Sequence, residues 1–177
     1  MGIRSWAEKI SRGRIIKRKL PSELGGYSLY VSPEAGLRYW KPTLANIDPM
    51  LFNVVREYVQ SSYVIWDVGA NVGLFTFAAM AKATSGQCLS FEPDIWLCHL
   101  LQKSIKQNPN VKVDVLPVAV SDKVSLAKFN IAVRSRATNY LSQAFGSTQT
   151  GGVRESQIVP TVTLDFVLEN YAGVNSS

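Results

Sequence analysis

The stretch Val64-Ile65-Trp66-Asp67-Val68-Gly69-Ala70-Asn71-Val72-Gly73-Leu74-Phe75 constrains this chain more than any other. An apolar run carries an acid into a glycine-bearing turn, and a second apolar run of helical character follows. Residues 63–68 are apolar on both faces apart from the acid, which suits a strand inside a sheet. Glycines let the backbone approach a ligand closely, and the first turn of a helix offers unpaired N–H groups. A strand–turn–helix of this kind is either a plain structural turn of an α/β fold or the floor of a ligand site.

The acid narrows the choice of ligand. A carboxylate immediately before the first glycine would repel a diphosphate, whereas a ligand with positive charge tolerates it. S-adenosylmethionine carries both an ammonium and a sulfonium. The glycines run Gly-x-x-x-Gly and not Gly-x-Gly-x-x-Gly, which counts against NAD, the rival cofactor. A second short apolar strand, Cys88-Leu89-Ser90-Phe91, ends at Glu92-Pro93-Asp94. Glu92 lies 25 residues after Asp67 and 19 after Gly73, the spacing of one strand–helix–strand unit with an acid positioned for ribose hydroxyls. Pro93 stops the strand, and Asp94 reads as a helix N-cap or, alternatively, as a ligand contact.

Around this unit the periodicity predicts a short amphipathic helix over 3–12, a turn at Gly25-Gly26, and short strands at 28–32 and 37–40 around a turn at Pro33–Gly36. A helix should run from Asp48 to about Gln60, with Pro49 at its first position. The core then reads as strand 63–68, helix 72–83, strand 87–91, helix 95–107 and strand 111–116. This alternation predicts an α/β fold with a doubly wound, mainly parallel sheet, its ligand edge at the carboxyl ends of the strands. A strand pair at 118–120 and 124–131, a loop over 132–157, a strand at 159–164 and a helix from Asp165 to Tyr171 complete the reading.

Charge is uneven. Residues 1–19 hold seven bases and one acid, which accounts for the whole net charge of +6, while the remainder is neutral. Residues 1–24 therefore read as a basic N-terminal arm, 25–62 as strands and a helix, and 63–177 as the ligand-binding domain. The arm is a solvated tail, a contact for an anionic membrane or glycan through Trp6 and Ile10, or, less in keeping with a neutral domain, a nucleic-acid contact. No apolar run reaches the roughly 18 residues of a membrane span. No secretory h-region follows the charged N-terminus. Cys88 and Cys98 lack metal spacing and read as reduced, consistent with the cytoplasm. No Asp/Glu/His cluster has metal-ligand spacing. His99, the single histidine, sits among apolar residues and reads as structural; Trp96 packs in the core or over a base. Arg134, Arg136, Thr138, Asn139 and Tyr140 form a polar cluster in the long loop that leans towards substrate recognition.

Four stretches together resemble the FkbM-type S-adenosylmethionine-dependent methyltransferases. They are Trp66–Gly73, Phe91-Glu92-Pro93-Asp94, Leu116-Pro117-Val118-Ala119-Val120-Ser121-Asp122 and Val159-Pro160-Thr161-Val162-Thr163-Leu164-Asp165, within about residues 37–170. The resemblance implies a class I methyltransferase (Rossmann-like) fold and O-methylation of a sugar, glycan or natural-product hydroxyl, driven by alignment of acceptor and methyl group. It names as cofactor-binding residues Asp67, Gly69, Ala70, Asn71, Gly73 and Phe75, with Glu92 and Pro93 at the ribose and Ala119 and Asp122 near the adenine. No catalytic base is nameable. The family continues with a Lys-Ile-Asp-x-Glu-Gly strand, whereas the sequence ends at Ser177. The resemblance therefore implies a truncated chain, lacking half the sheet, with strand 63–68 left as an edge. An inactive half-domain is the alternative to an enzyme.

Overall fold

The computed structural model describes residues 3–142 and 150–171. The N-terminal part comprises helix α1 (Ile3–Ile10), strands β1 (Ile16–Lys19) and β2 (Ser28–Val31) and helix α2 (Pro49–Tyr58). The middle alternates β3 (Val64–Val68), α3 (Leu74–Met80), β4 (Gln87–Phe91), α4 (Ile95–Gln107) and β5 (Val113–Leu116). Then come β6 (Ala119–Val120), β7 (Ser125–Ala132), β8 (Tyr140–Leu141), β9 (Val153–Val162) and α5 (Leu164–Asn170).

The alternating segment folds as its pattern demands. β3, β4 and β5 form a parallel sheet in that order, with Asp67 opposite Ser90 and Phe91 opposite Leu116. The register brings Gly69, Glu92 and Pro117 to one edge. Leu74, Phe77, Leu97, Leu100 and Leu101 from α3 and α4 bury against Ile65 and Cys88 in the larger core, which also takes Leu29, Val31, Tyr39 and Phe52 from the N-terminal part. The opposite side holds Leu89 and Phe91, with Trp66, Leu116 and Val167 of α5 packed there. The predicted Asp94 cap forms, accepting from the Trp96 and Leu97 N–H groups, and Asp48, where a helix was expected to begin, caps α2 by accepting from Leu51 N–H. No helix among the described residues is long and apolar enough to cross a membrane.

The sheet expectation needs correction. Parallel pairing is confined to β3-β4-β5 and β6-β9; the second sheet has the order β6-β9-β7-β8, with β7 antiparallel to both neighbours. β6 and β7 are not a hairpin pair, because β9 lies between them. β9 begins at Val153, inside the expected loop. Its polar residues Arg154–Gln157 carry little apolar signal but take their register from β7, as in Phe129 opposite Gln157. Residues 143–149 of that loop, and residues 172–177, lie outside the described residues.

Two N-terminal expectations also change. Leu37–Trp40 is a 3₁₀ turn and not a strand. Ser32 caps a preceding 3₁₀ turn at Pro33–Ala35, so the chain never turns back to pair with β2. β2 pairs instead with β1, so residues 16–19 of the basic segment form a strand with alternating exposure and not a tail. Among the described residues β3 pairs only with β4, and Val64 and Val68 are exposed.

Gly73 shows how tightly α3 meets α4. It has φ +85°, and a Cβ there would lie 2.4 Å from Leu101 Cδ1, in the buried core. Gly73→Ala should destabilise the fold by about 2 kcal/mol, combining overpacking with left-handed strain. Gly69, at φ +81°, has open space where its Cβ would stand. Gly69→Ala should cost only the backbone strain, a smaller loss in denaturant unfolding.

Candidate functional site

The site forms where β3 and β4 end. Gly69 N–H and Ala70 N–H both donate to Phe91 O, at 2.9 and 3.0 Å, which folds the turn onto the end of β4. Asn71 follows with φ 54°, the left-handed region that side chains seldom adopt. Its side chain accepts from Val72 N–H at 2.8 Å, and Gly73 N–H closes the turn on Ala70 O at 2.8 Å.

Glu92 joins this turn to the next helix. Its Oε2 accepts from Asn71 N–H and its Oε1 from Asp94 N–H, each at 2.8 Å. The residue is 5% exposed. Burial pushes its carboxyl up to about 7, against the lowering effect of the two N–H bonds, and the nearby acids Asp94 and Asp67 push the same way. Behind it the Cys98 thiol donates to Glu92 O at 2.9 Å. Cys88 and Cys98 are both free and buried, and burial pushes both thiols up to about 12.

Asp67 sits deeper than the sequence suggests. It is 7% exposed, and its Oδ2 accepts the Thr76 hydroxyl at 2.5 Å; that hydroxyl lies 3.0 Å from Ser90 Oγ. Burial raises its carboxyl above the ordinary range, which Thr76 partly offsets. Thr76 and Ser90 escaped the sequence reading, although a lone threonine in the apolar helix Leu74–Met80 is a signal for a buried partner.

A cavity of about 140 Å³ opens at this corner, lined by Gly69, Asn71, Glu92 and Pro93 below and by Phe129, Arg136, Ala137 and Asn139 above. Of the sequence candidates, Gly69, Asn71, Glu92 and Pro93 therefore meet at one place. Ala70 is buried, and Phe75 packs against the larger core. Ala119 is buried in the second sheet with Phe129 and Val159. Asp122 lines a separate cavity of about 340 Å³ with Ser121, Lys123, Ser125 and Thr161.

The loop cluster is sorted too. Arg136 bonds Glu34 Oε1 through Nε at 2.8 Å and Asp94 Oδ2 through Nη1 at 2.5 Å, and its guanidinium lies 4.8 Å from the Trp96 ring centroid. Arg154 also binds Glu34 Oε1, at 2.6 Å. Burial alone would raise the Glu34 carboxyl, but the Gly13 N–H and the two arginines outweigh it and hold it low. No sequence signal pointed to Glu34. His99 is exposed on α4.

Residues 67–176 match the model of the methyltransferase FkbM domain. No curated protein and no solved structure matches the chain with significance.

The raised Glu92 carboxyl has a stability consequence. A folded-state value of about 7 against an ordinary 4.5 means that the folded chain holds a proton the unfolded chain releases. That contribution is full below about pH 4.5 and is lost as pH rises through about 7. Comparing Glu92→Gln with the parent in urea from pH 4.5 to 8, the variant should gain relative stability as pH rises and level off above the upper value. A pH-independent difference would remove the assigned shift.

Proposed function

The chain belongs to the FkbM methyltransferase family, and on that premise we propose that it transfers the methyl group of S-adenosylmethionine to a hydroxyl oxygen of a sugar, glycan or natural product. The observation that carries the cofactor assignment is the buried Glu92 carboxylate at the cavity formed with Gly69 and Asn71. Each Glu92 oxygen accepts one backbone N–H and keeps acceptor capacity for a ribose hydroxyl. Open space at Gly69 lets a ligand approach the backbone. When bound, the cofactor would supply an electrophilic methyl group on its sulfonium.

The surroundings favour this cofactor over a dinucleotide. Asp67, Glu92 and Asp94 cluster at the strand ends, and Arg136, the one base lining the corner among the described residues, is paired with Glu34 and Asp94. A diphosphate would find that arginine already engaged and acids beside it, whereas an ammonium and a sulfonium would favour the ionised forms of Asp67 and Glu92.

Loss of the Glu92 carboxylate should therefore read out directly. Each charge-assisted bond to a ribose hydroxyl contributes roughly 1.5–3 kcal/mol. Glu92→Ala should weaken S-adenosylhomocysteine binding at least tenfold in calorimetry while the fold persists. Unchanged affinity would exclude the ribose assignment, and tighter binding of NADH than of S-adenosylhomocysteine would favour an oxidoreductase.

A peripheral contact with an anionic membrane is a second element of the proposal. Trp6 on α1 is 64% exposed within the basic segment, an arrangement suited to an interfacial anchor. Trp6→Ala should reduce co-sedimentation with phosphatidylglycerol vesicles, and added salt should reduce it in the parent chain. Equal sedimentation of both chains would discard the anchor.

A further inference from the structure

The upper half of the ribose corner comes from a segment outside the glycine turn and its acid. The 3₁₀ turn Arg136–Thr138, between β7 and β8, lies over the cavity, and Arg136, Ala137 and Asn139 line it from above. At about 140 Å³ the cavity falls below the roughly 300–1,000 Å³ that enclose a whole small ligand. It encloses one sugar-sized part, with the rest of a ligand extending outward.

We propose that this segment is the outer wall of the ribose corner, with Asn139 a contact residue for the sugar of a bound nucleoside and Arg136 the positioning residue that holds the wall in place. The proposal rests on the nucleoside-binding reading of Glu92. Asn139 is set by two bonds: its Nδ2 donates to Asp94 Oδ2 at 2.9 Å, and its Oδ1 accepts from Ala132 N–H at 2.9 Å. A carboxamide has two N–H groups and two lone pairs, so these bonds use one of each. A sugar hydroxyl both donates and accepts, which matches what such a group offers.

Arg136 is the fastening. It is 9% exposed and reaches two carboxylates on different parts of the chain, Glu34 and the fully buried Asp94. The Trp96 ring lies against its guanidinium. Ser135 Oγ bonds Glu34 O at 3.4 Å and accepts from Ala137 N–H at 3.2 Å, which shapes the turn. Asp94 links the two halves: its carboxylate takes Arg136 and Asn139, and its own N–H holds Glu92. The wall and the ribose acceptor thus share one residue.

The test is calorimetry of the full chain with S-adenosylhomocysteine and with NADH, on the parent and on Asn139→Ala, Arg136→Ala, Arg136→Lys and Arg154→Ala. Asn139→Ala should weaken S-adenosylhomocysteine about fivefold, the loss of one neutral hydrogen bond. Arg136→Ala should weaken it more, and Arg136→Lys should restore part of that loss. Arg154→Ala removes a bond to Glu34 without touching the cavity, so it should lower the melting temperature and leave affinity alone. A purely structural Arg136 would behave like Arg154. If Arg136→Ala fails to fold, Asn139→Ala decides, because the ion pairs survive in it. Unchanged affinity in Asn139→Ala and Arg136→Lys, with Glu92→Ala still weakened, overturns the wall and leaves the cofactor assignment standing. Preference for NADH, weakened by the same variants, overturns the cofactor and keeps the wall. Binding of neither probe by the parent overturns both.

Discussion

The Glu92 carboxylate bridges two turns, and the rest of the site depends on that bridge. Its oxygens accept N–H groups from Asn71, in the turn after β3, and from Asp94, at the start of α4. Without an acceptor at this point, two backbone donors at a buried sheet edge would lose their partners, a cost of roughly 1–3 kcal/mol each. The same atoms that fix the floor are the ones the proposed ribose contact would use. The site is therefore pre-formed to the extent that Glu92 is held, and a ligand hydroxyl adds to an existing arrangement without having to build one.

Holding a carboxylate in such a place raises the energy of its charged form, and the neighbourhood shows several answers to that problem. Asp67 leans on the Thr76 hydroxyl beneath the sheet end, and Ser90 extends the chain of polar groups. Asp94 takes a guanidinium, a carboxamide and the N–H groups of its own helix. Glu34 collects two arginines and the Gly13 N–H. Glu92 has only neutral donors, and burial pushes its carboxyl up to about 7. An acid in that state gains from any partner that favours its ionised form, and a nucleoside sugar flanked by cationic groups is such a partner.

What the sequence disclosed follows the range of the forces involved. The strand–turn–helix at 64–80, the strand at 87–91, the Asp48 and Asp94 caps and the meeting of Gly69, Asn71, Glu92 and Pro93 were all legible, because each rests on local periodicity, a cap or a short fixed spacing. The 37–40 misreading is local, a pair of 3₁₀ turns begun by the Ser32 cap, whereas the others involve distant partners. The four polar residues Arg154–Gln157 become strand only because β7 supplies the ladder, and Ile16–Lys19 only because β2 does. Glu34 joins Arg136 and Arg154 across more than 100 residues, which no spacing rule reaches. Thr76 was within reach, since an apolar helix facing a buried acid needs a donor.

The balance of charge at the strand ends then decides what kind of ligand the corner can hold. Three acids, Asp67, Glu92 and Asp94, stand within one turn of the sheet edge, and the arginine that lines the cavity is already shared between Glu34 and Asp94. Arg136 cannot be lent to a phosphate without taking its guanidinium from the buried Asp94 and one of two arginines from Glu34, and breaking a buried pair in that way is strongly destabilising. Helix N-termini elsewhere recruit phosphate because nothing negative stands before them; here Glu92 has taken the Asn71 and Asp94 N–H groups that a phosphate would have used. The corner retains acceptors and a carboxamide, the groups that the proposed sugar contact would use. On that proposal, selectivity comes from how the backbone donors are already spent as much as from the shape of the cavity.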